Sequence, residues 1–483
     1  MPFIPPEILS IVAEKVVARD DKEEKLGPYA LVCRAWQAAF EPHIYNYLEV
    51  RSPSETTTVS LGPEAKYGTF DKRGITLERL ADAIDGSHEW SHARRAAIRR
   101  ILYKVAVPHY LDGDKDVNED DFSRDENFPI DERAASGHSD DEPFSYDNVY
   151  RRQNDEAFTN GMQRFFELLS TWTDPEYPLA LNIVLEAENV YSPDQDVEPG
   201  TIGSDGLGKL IATYGADFPA GHLLPLVKCV SSLGFPESWS PVPINYIQFP
   251  YMPDPQPSTS PLAQQNRISP AAAFTIASAC RGEALKTIKV DGIPFVPEDE
   301  RELSQQRCSA VAESLSALPR SVRKVEIQWQ YPPSEYELPE LSSHPVYQPS
   351  PNALCRALRL ASTHLRELVI TDMKVSPELF EPSGEDFWPN LETLVVTQIP
   401  ETTSSGLKLL YTFEPDSSEY FCPSFLDAIY SSVARAAIRM PRITLILVSF
   451  SSKQEKVLLK TQDDGRRVLS FYSKHNYVPS QGM

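Results

Sequence analysis

The chain has 483 residues, of which 41% are apolar and 10% aromatic, enough for a sizeable core and too many for one ordinary domain of about 150 residues. Lys and Arg number 46 against 69 Asp and Glu, a net charge of −23 whose field repels phosphate backbones and anionic lipid, so neither nucleic acid nor a membrane is expected as a partner. The most apolar run, Ile443 to Val448, is far shorter than the roughly 20 residues of a spanning helix, and six scattered cysteines without a CxxC pair point to reduced thiols in an intracellular setting, cytoplasm or nucleus, with no zinc or disulfide framework.

The first segment, MPFIPPEILSIVAEKV, has no cationic stretch ahead of its apolar residues and is not read as a signal peptide. Pro5 and Pro6 stand where a helix begins, Glu7 favours the positive end of its dipole, and Ile8, Ile11, Val12 and Val16 recur at helical spacing. After the charged loop RDDKEEK a second helix is predicted, on which Val32, Trp36, Ala39 and Phe40 fall at i, i+4, i+7 and i+8. A unit of about fifty residues buries too little surface to be comfortable alone, so its apolar excess needs the body behind it and a partner.

IPPEIL, Ile4 to Leu9, resembles the LPxEIL opening of the F-box, and LVCRAW, Leu31 to Trp36, resembles its VCRxW segment. Order, spacing and the strand-like YLEV that follows agree with that family. The resemblance implies an F-box over residues 1–46 that binds the Skp adaptor, and through it a cullin, in a cullin-type (SCF) ubiquitin ligase. Carried over residue by residue, the adaptor-binding set is Ile4, Pro5, Ile8, Leu9, Leu31, Val32 and Trp36. Ile4 stands where leucine is usual. Read from the residues alone, the same segment is a helical hairpin capping a larger body, with Trp36 and Cys33 as ordinary core.

Residues 47–110 are expected to supply the first strands, YLEV and IRRILYKVAV, with helices between them. Within this stretch His88, Glu89 and His92 spell HExxH, the zinc-protease pattern that places two imidazoles on one helix face. Gly86 and Ser87 precede it and Arg94 and Arg95 follow, which is not the apolar helix such a site needs, and no third ligand is evident. Residues 111–147 form an acidic insert: from Asp112 to Glu142 there are 13 acidic residues against Lys115, Arg124 and Arg133. Apolar residues are too few there to offset ordering entropy, so a flexible loop is expected. Asp112, Asp114 and Asp116 imitate a calcium loop, but Val117 occupies the glycine position and Ser123 the bidentate glutamate position. Ser139, ahead of Asp140, Asp141 and Glu142, resembles an acidophilic-kinase site.

Residues 148–483 read as alternating helices and short strands. Phe158, Phe165, Phe166, Leu169 and Trp172 share a helix face, and Leu181, Ile183, Val184 and Leu185 follow as a buried strand. SPAAAFTIASACRG precedes LKTIKV, RCSAVAESLSAL precedes VRKVEIQW, NALCRALRLAST precedes LRELVI, and FLDAIYSSVARAAIRM precedes ITLILVSF. Four strands fit an LxxLxL pattern, beginning at Leu285, Val322, Leu365 and Leu391, with spacings of 37, 43 and 26. The expected fold is therefore mixed α/β, the leading helices followed by an irregular leucine-rich-repeat-like solenoid, with an ordinary α/β sandwich as the alternative. The stretch Ala157 to Ala187 is similar to a helix and strand of fungal F-box proteins with an associated C-terminal region.

Two further patterns are set aside. Gly203 to Lys209, GSDGLGK, matches a phosphate-binding loop, but Leu210 replaces the magnesium-binding hydroxyl. Pro236 to Pro261 is read as a long loop between repeats, with a polyproline II surface as the alternative. The end of the chain reads as a strand, an Asp464-Gly465 turn and a returning strand that closes the sheet. The functional expectation is a non-enzymatic substrate receptor with no cofactor or metal, tying an unidentified protein substrate to the ligase. The alternatives are an F-box scaffold without a role in degradation, or a hydrolase using one of the look-alike motifs.

Overall fold

Short aliphatic segments pair in parallel when each is followed by a connection long enough to return the chain to the same end of the sheet, and that is what the spacing of strands and helices in this sequence provides. The computed structural model describes residues 4–18, 26–53, 75–84, 89–109, 149–172, 178–189, 215–236, 238–239, 264–265, 267–281, 283–293, 301–329, 353–381, 388–399, 410–413, 418–421, 423–450, 455–462 and 464–473. The architecture is mixed α/β, with ten α-helices and a large, mostly parallel sheet among the described residues.

Helices α1 (Pro6–Ala18), α2 (Gly27–Ala30) and α3 (Arg34–Tyr45) lead into strand β1 (Tyr47–Arg51). Next come β2 (Ile75–Thr76), α4 (Leu77–Ile84), α5 (Glu89–Ala97), β3 (Arg100–His109), α6 (Val149–Ser170) and β4 (Leu179–Asn189). The chain continues through β5 (Val230–Phe235), a small pair β6 (Ser238–Trp239) and β7 (Gln264–Gln265), α7 (Pro270–Ala279), β8 (Thr287–Ile293), α8 (Arg301–Ser316) and β9 (Lys324–Trp329). It ends with α9 (Ala353–Ser362), β10 (Glu367–Thr371), β11 (Thr393–Ile399), the hairpin β12 (Leu410–Phe413) and β13 (Ser418–Phe421), α10 (Pro423–Ile438), β14 (Leu445–Phe450), β15 (Glu455–Thr461) and β16 (Arg467–Ser473).

Twelve strands form one sheet in the order β16-β15-β14-β11-β10-β9-β8-β5-β4-β3-β1-β2. All pairs from β2 to β14 are parallel, and β15 and β16 close one end as an antiparallel hairpin. From β3 to β14 each new strand of the sheet is laid on the same side of its predecessor, so right-handed crossovers put the connecting helices on one face. Accordingly α7 packs against α8 and α8 against α9.

The register of this sheet is set by its buried face. Ile101, Leu181, Leu233, Ile288, Val325, Leu368, Leu394 and Ile446 stand at one height across eight strands, and all are buried. Two residues on, Phe235, Val290, Ile327, Ile370, Val396 and Val448 form a second buried row. A shift of one residue in any strand would turn its whole set to the other face. The outward row between them holds Lys289, Glu326, Val369, Val395 and Leu447, none of them buried. Lys324 bridges Glu326 at 2.8 Å and Glu367 at 3.1 Å on this face. Toward β1 the outward face is covered instead: Lys104, with 1% of its side chain exposed, pairs with Glu49 at 2.6 Å, and Arg51 pairs with the buried Glu186.

Local packing explains the irregular repeat. The 26-residue spacing between the third and fourth strand patterns is the shortest of the three, and among the described residues between β10 and β11 the connection is a 3-10 turn, Pro377–Leu379, in place of an α-helix. Phe380 and Trp388, both buried, fill the space, and the Trp388 indole donates to Ser362 Oγ at 2.7 Å. At the other end Gly161 lets α6 approach the sheet, since a Cβ there would meet Val105 Cγ1 at 3.0 Å and Ser52 Cβ at 3.2 Å. The Tyr103 hydroxyl donates to the Gly161 carbonyl at 2.7 Å across the same contact.

Most elements expected from the sequence are present, including the two early strands, the four LxxLxL strands and the closing hairpin. The second leading helix differs. It starts at Arg34, with Cys33 as an extended N-cap at φ −168°, so Leu31 and Val32 lie in the turn before it and a separate short helix, α2, precedes them. The strand VSSLGF was not expected, because Ser231 and Ser232 break its apolar alternation. The acidic insert with Asp112, Asp114, Asp116 and Ser139, the GSDGLGK stretch, His88 and most of Pro236 to Pro261 lie outside the described residues.

Truncating one buried rung tests this register. Leu368→Ala is expected to lose about 2–5 kcal/mol by transfer and cavity terms, and Val369→Ala, one residue on and facing outward, about 1 kcal/mol or less. Urea-denaturation midpoints of the two variants should rank in that order.

Candidate docking surface on the leading helices

Helix α1 starts because Pro5 and Pro6 preset its backbone: the Pro5 carbonyl accepts from the amides of Ile8 at 3.1 Å and Leu9 at 3.2 Å. Glu7 in its first turn and Lys15 in its last complement the helix dipole. One side of α1 packs on α3. Leu9 and Ala13 are buried with Ala39 and Phe40, and Val12 and Val16 flank them. Behind this contact three rings stack: Tyr29 on Phe40 at 5.0 Å, Trp36 on Phe40 at 5.5 Å, and Tyr29 on Trp36 at 6.1 Å. The aromatic stack fixes the turn that carries Leu31 and Val32, because Tyr29 and Trp36 lie on either side of it.

The seven residues singled out in the sequence divide into two groups. Leu9, 2% exposed, is inside the hairpin, and Trp36 is half-buried in the stack, so these two hold the unit together. Leu9 has no surface to offer. Ile4, Pro5, Ile8, Leu31 and Val32 are exposed, Leu31 at 86%, Val32 at 62% and Ile8 at 49%. Ile11, absent from the adaptor-binding set, lies 50% exposed on α1, three residues beyond Ile8, with the exposed Ile4 just ahead of the helix. Its helical spacing was legible; its direction was not, because α1 is apolar on a broader arc than α3 covers. Among the described residues fourteen large apolar side chains are exposed, and six of them, Ile4, Ile8, Ile11, Val17, Leu31 and Val32, belong to the first 32 residues. Single exposed aliphatics are ordinary, and it is their concentration on one small unit that sets this surface apart.

The unit is fixed to the sheet. Glu41 of α3, 8% exposed, accepts from Gln37 Nε2 at 2.7 Å and from Arg94 Nη2 of α5 at 2.7 Å. The hydrogen bond to Glu41 holds the Arg94 guanidinium above its usual range, and its Cζ lies 5.5 Å from the centre of the Tyr45 ring. One residue, Asn46, separates α3 from β1, and its carbonyl accepts from the amides of Arg99 at 3.2 Å and Arg100 at 3.0 Å.

Reactive groups are few in this region. Among the described residues no three His, Cys, Asp or Glu side chains come together as a metal-ligand set, and no helix is long and apolar enough to cross a membrane. His92 lies on α5, the helix pinned by Arg94. No protein-family model matches the chain, and no curated protein matches it.

The thiols report directly on this arrangement. Cys33, in the turn beside Leu31 and Val32, is exposed, whereas Cys229, Cys280 and Cys355 are buried. Burial pushes the thiols of Cys229 and Cys355 up to about 12 and raises Cys280 as well. Only a thiolate alkylates readily. Iodoacetamide at pH 8 should therefore modify Cys33 in the native protein, and the three buried cysteines only after denaturation, as read by peptide mass spectrometry.

Proposed function

We propose that the protein is an F-box substrate receptor of a cullin-type ubiquitin ligase: the leading helices dock on the Skp adaptor, and the α/β body, an irregular leucine-rich-repeat-like solenoid, holds a protein substrate. The observation that carries this reading is the exposed aliphatic set Ile4, Ile8, Ile11, Leu31 and Val32 on a three-helix unit whose own core is formed by Leu9, Ala13, Ala39 and Phe40. Covering a side chain of this size is worth roughly 1.5–3 kcal/mol before the costs of association. The motif positions Pro5 and Trp36 support the same reading by preparing that surface, one starting α1 and the other bracing the turn.

The work done is proximity. A substrate held on the body is presented to the ubiquitin-charged enzyme at high effective concentration, and stiff linkage between the two surfaces makes that concentration orientation-specific. The Glu41–Arg94 pair and the single-residue join at Asn46 supply the stiffness at the near end. The outward face of the sheet, where Val369, Val395 and Leu447 stand half-exposed among Lys, Glu and Thr side chains, is the surface we assign to the substrate.

Co-purification of the full chain with a Skp adaptor tests the docking half. Ile8→Asp combined with Leu31→Asp should weaken adaptor binding by about a hundredfold or more, in line with the loss of two central apolar contacts, while the circular dichroism and melting temperature stay unchanged because both side chains are exposed. Adaptor binding should also slow alkylation of Cys33. Full retention of the adaptor by the folded double variant would overturn the reading.

A further inference from the structure

Carboxylates outnumber Lys and Arg 69 to 46 in this chain, so a cation is expected near an acid, and several are: Arg51 with Glu186, Lys104 with Glu49, Arg94 with Glu41, Lys289 with Asp291, Arg435 with Glu381. One place breaks the pattern. At the N-terminal ends of the interior strands β8 and β9, a cleft of about 640 Å³ is lined by Arg281, Lys286, Arg320 and Arg323, with Glu283 the one carboxylate among its lining residues. Arg281, Lys286 and Arg320 are exposed, and none of the three has an ion-pair partner among the described residues. Arg323 is held by a bond from its Nη1 to the His364 carbonyl at 3.1 Å.

Part of this charge answers the two helices that end at the cleft. Residues immediately beyond α7 and α8 line it, and each helix C-terminus brings about half a negative charge. Four cations less Glu283 and these two half charges leave about +2, which matches the −1.5 to −2 of a phosphate ester. A buried polar atom points the same way: Ser321, a residue of the lining, has its Oγ without a protein hydrogen-bond partner. Burial lowers the pKa of His364, and Arg323 and Arg320 lower it further, as expected beside uncompensated positive charge.

We propose that this cleft is a binding site for a phosphate-type oxyanion, with Arg281, Lys286, Arg320 and Arg323 as its cationic clamp and Ser321 as a neutral donor. The phosphate is carried either by a free phosphorylated small molecule or by a phosphorylated side chain on a bound polypeptide; both present a phosphate oxyanion. The site is independent of the adaptor reading, since it uses no residue of the leading helices.

Isothermal titration of the full chain with inorganic pyrophosphate tests it. Binding is expected at low salt and should weaken as salt screens the cleft. Arg281→Gln and Arg320→Gln should each reduce affinity about tenfold, the size of one lost charge-assisted hydrogen bond, and Arg320→Lys should keep most of it. These side chains are exposed, so unchanged melting temperatures are expected to accompany the loss. Competition by a short Gly-Ser peptide carrying one phosphoserine, and not by its unphosphorylated form, would assign the phosphate to a polypeptide; pyrophosphate binding without such competition would assign it to a free small molecule. No pyrophosphate binding at low salt, or equal affinity in wild type and in both Gln variants, would overturn the proposal. Adaptor co-purification should be the same for every cleft variant, so failure here leaves the docking surface untouched.

Discussion

An aliphatic side chain at the same height on eight neighbouring strands, from Ile101 to Ile446, is the constraint on which the rest of this protein depends. Side chains alternate along a strand, so a buried row on one face commits its neighbours to the other. Because the strands from β3 to β14 follow one another in a single direction, the connecting helices share one face, and the opposite face is open from β8 to β14 and covered toward β1, where Lys104 and Glu186 are buried. The sheet then has two ends to manage. One is closed by an antiparallel hairpin whose Gly465 adopts φ +80° in the turn; the other carries β1, β2 and the three leading helices. Twelve strands at about 4.8 Å spacing separate the two ends by roughly 50 Å. Under the proposed function that distance would make the sheet a spacer between the two surfaces.

A spacer is only as good as its joints. The leading unit is small, and its own core of Leu9, Ala13, Ala39 and Phe40 with a three-ring stack would be marginal in isolation. It becomes part of the larger structure by entering the sheet at once: α3 ends at Tyr45 and β1 starts at Tyr47. The buried carboxylate of Glu41 is satisfied by groups from both sides, Gln37 on its own helix and Arg94 on the sheet side. Such a pair adds little net stability compared with an apolar contact, but removing one partner leaves a buried charge, so it resists slippage of the unit on the sheet.

Much of this was legible in the amino-acid sequence, and the parts that were not have physical reasons. Strands β8 to β11 and β14 announce themselves by alternating aliphatics, and helices α6 to α10 by their periodicity, because both carry one buried face. Strand β5 hid itself, since Ser231 and Ser232 sit where alternation would put an apolar and a polar residue. Within the candidate surface, Ile4, Ile8, Leu31 and Val32 were singled out by the F-box resemblance and are exposed, but periodicity cannot say which arc of a broadly apolar helix its neighbour will cover. Leu9 and Ile11 exchange roles for that reason: 2% exposure for one and 50% for the other. Leu31 and Val32 were expected on a helix and stand before it, because Cys33 is extended and Arg34 opens α3. The basic cleft was invisible in sequence, since Arg281, Lys286, Arg320 and Arg323 come from two separate helix-to-strand connections that only the parallel register brings together.

Charge explains why the two assigned surfaces are so different in character. At −23 the molecule as a whole repels acidic partners and steers basic ones non-selectively. A docking surface made of Ile4, Ile8, Leu31 and Val32 is indifferent to that field, because its attraction comes from apolar area removed from water and does not weaken with salt as charge pairing does. An anion meets the opposite situation: repelled by most of the surface, it gains only where four cations outnumber the local carboxylates. Net charge of this sign sharpens the contrast between the cleft and the surface around it, so that under the proposed anion binding the same excess of Asp and Glu would favour the cleft over the rest of the surface.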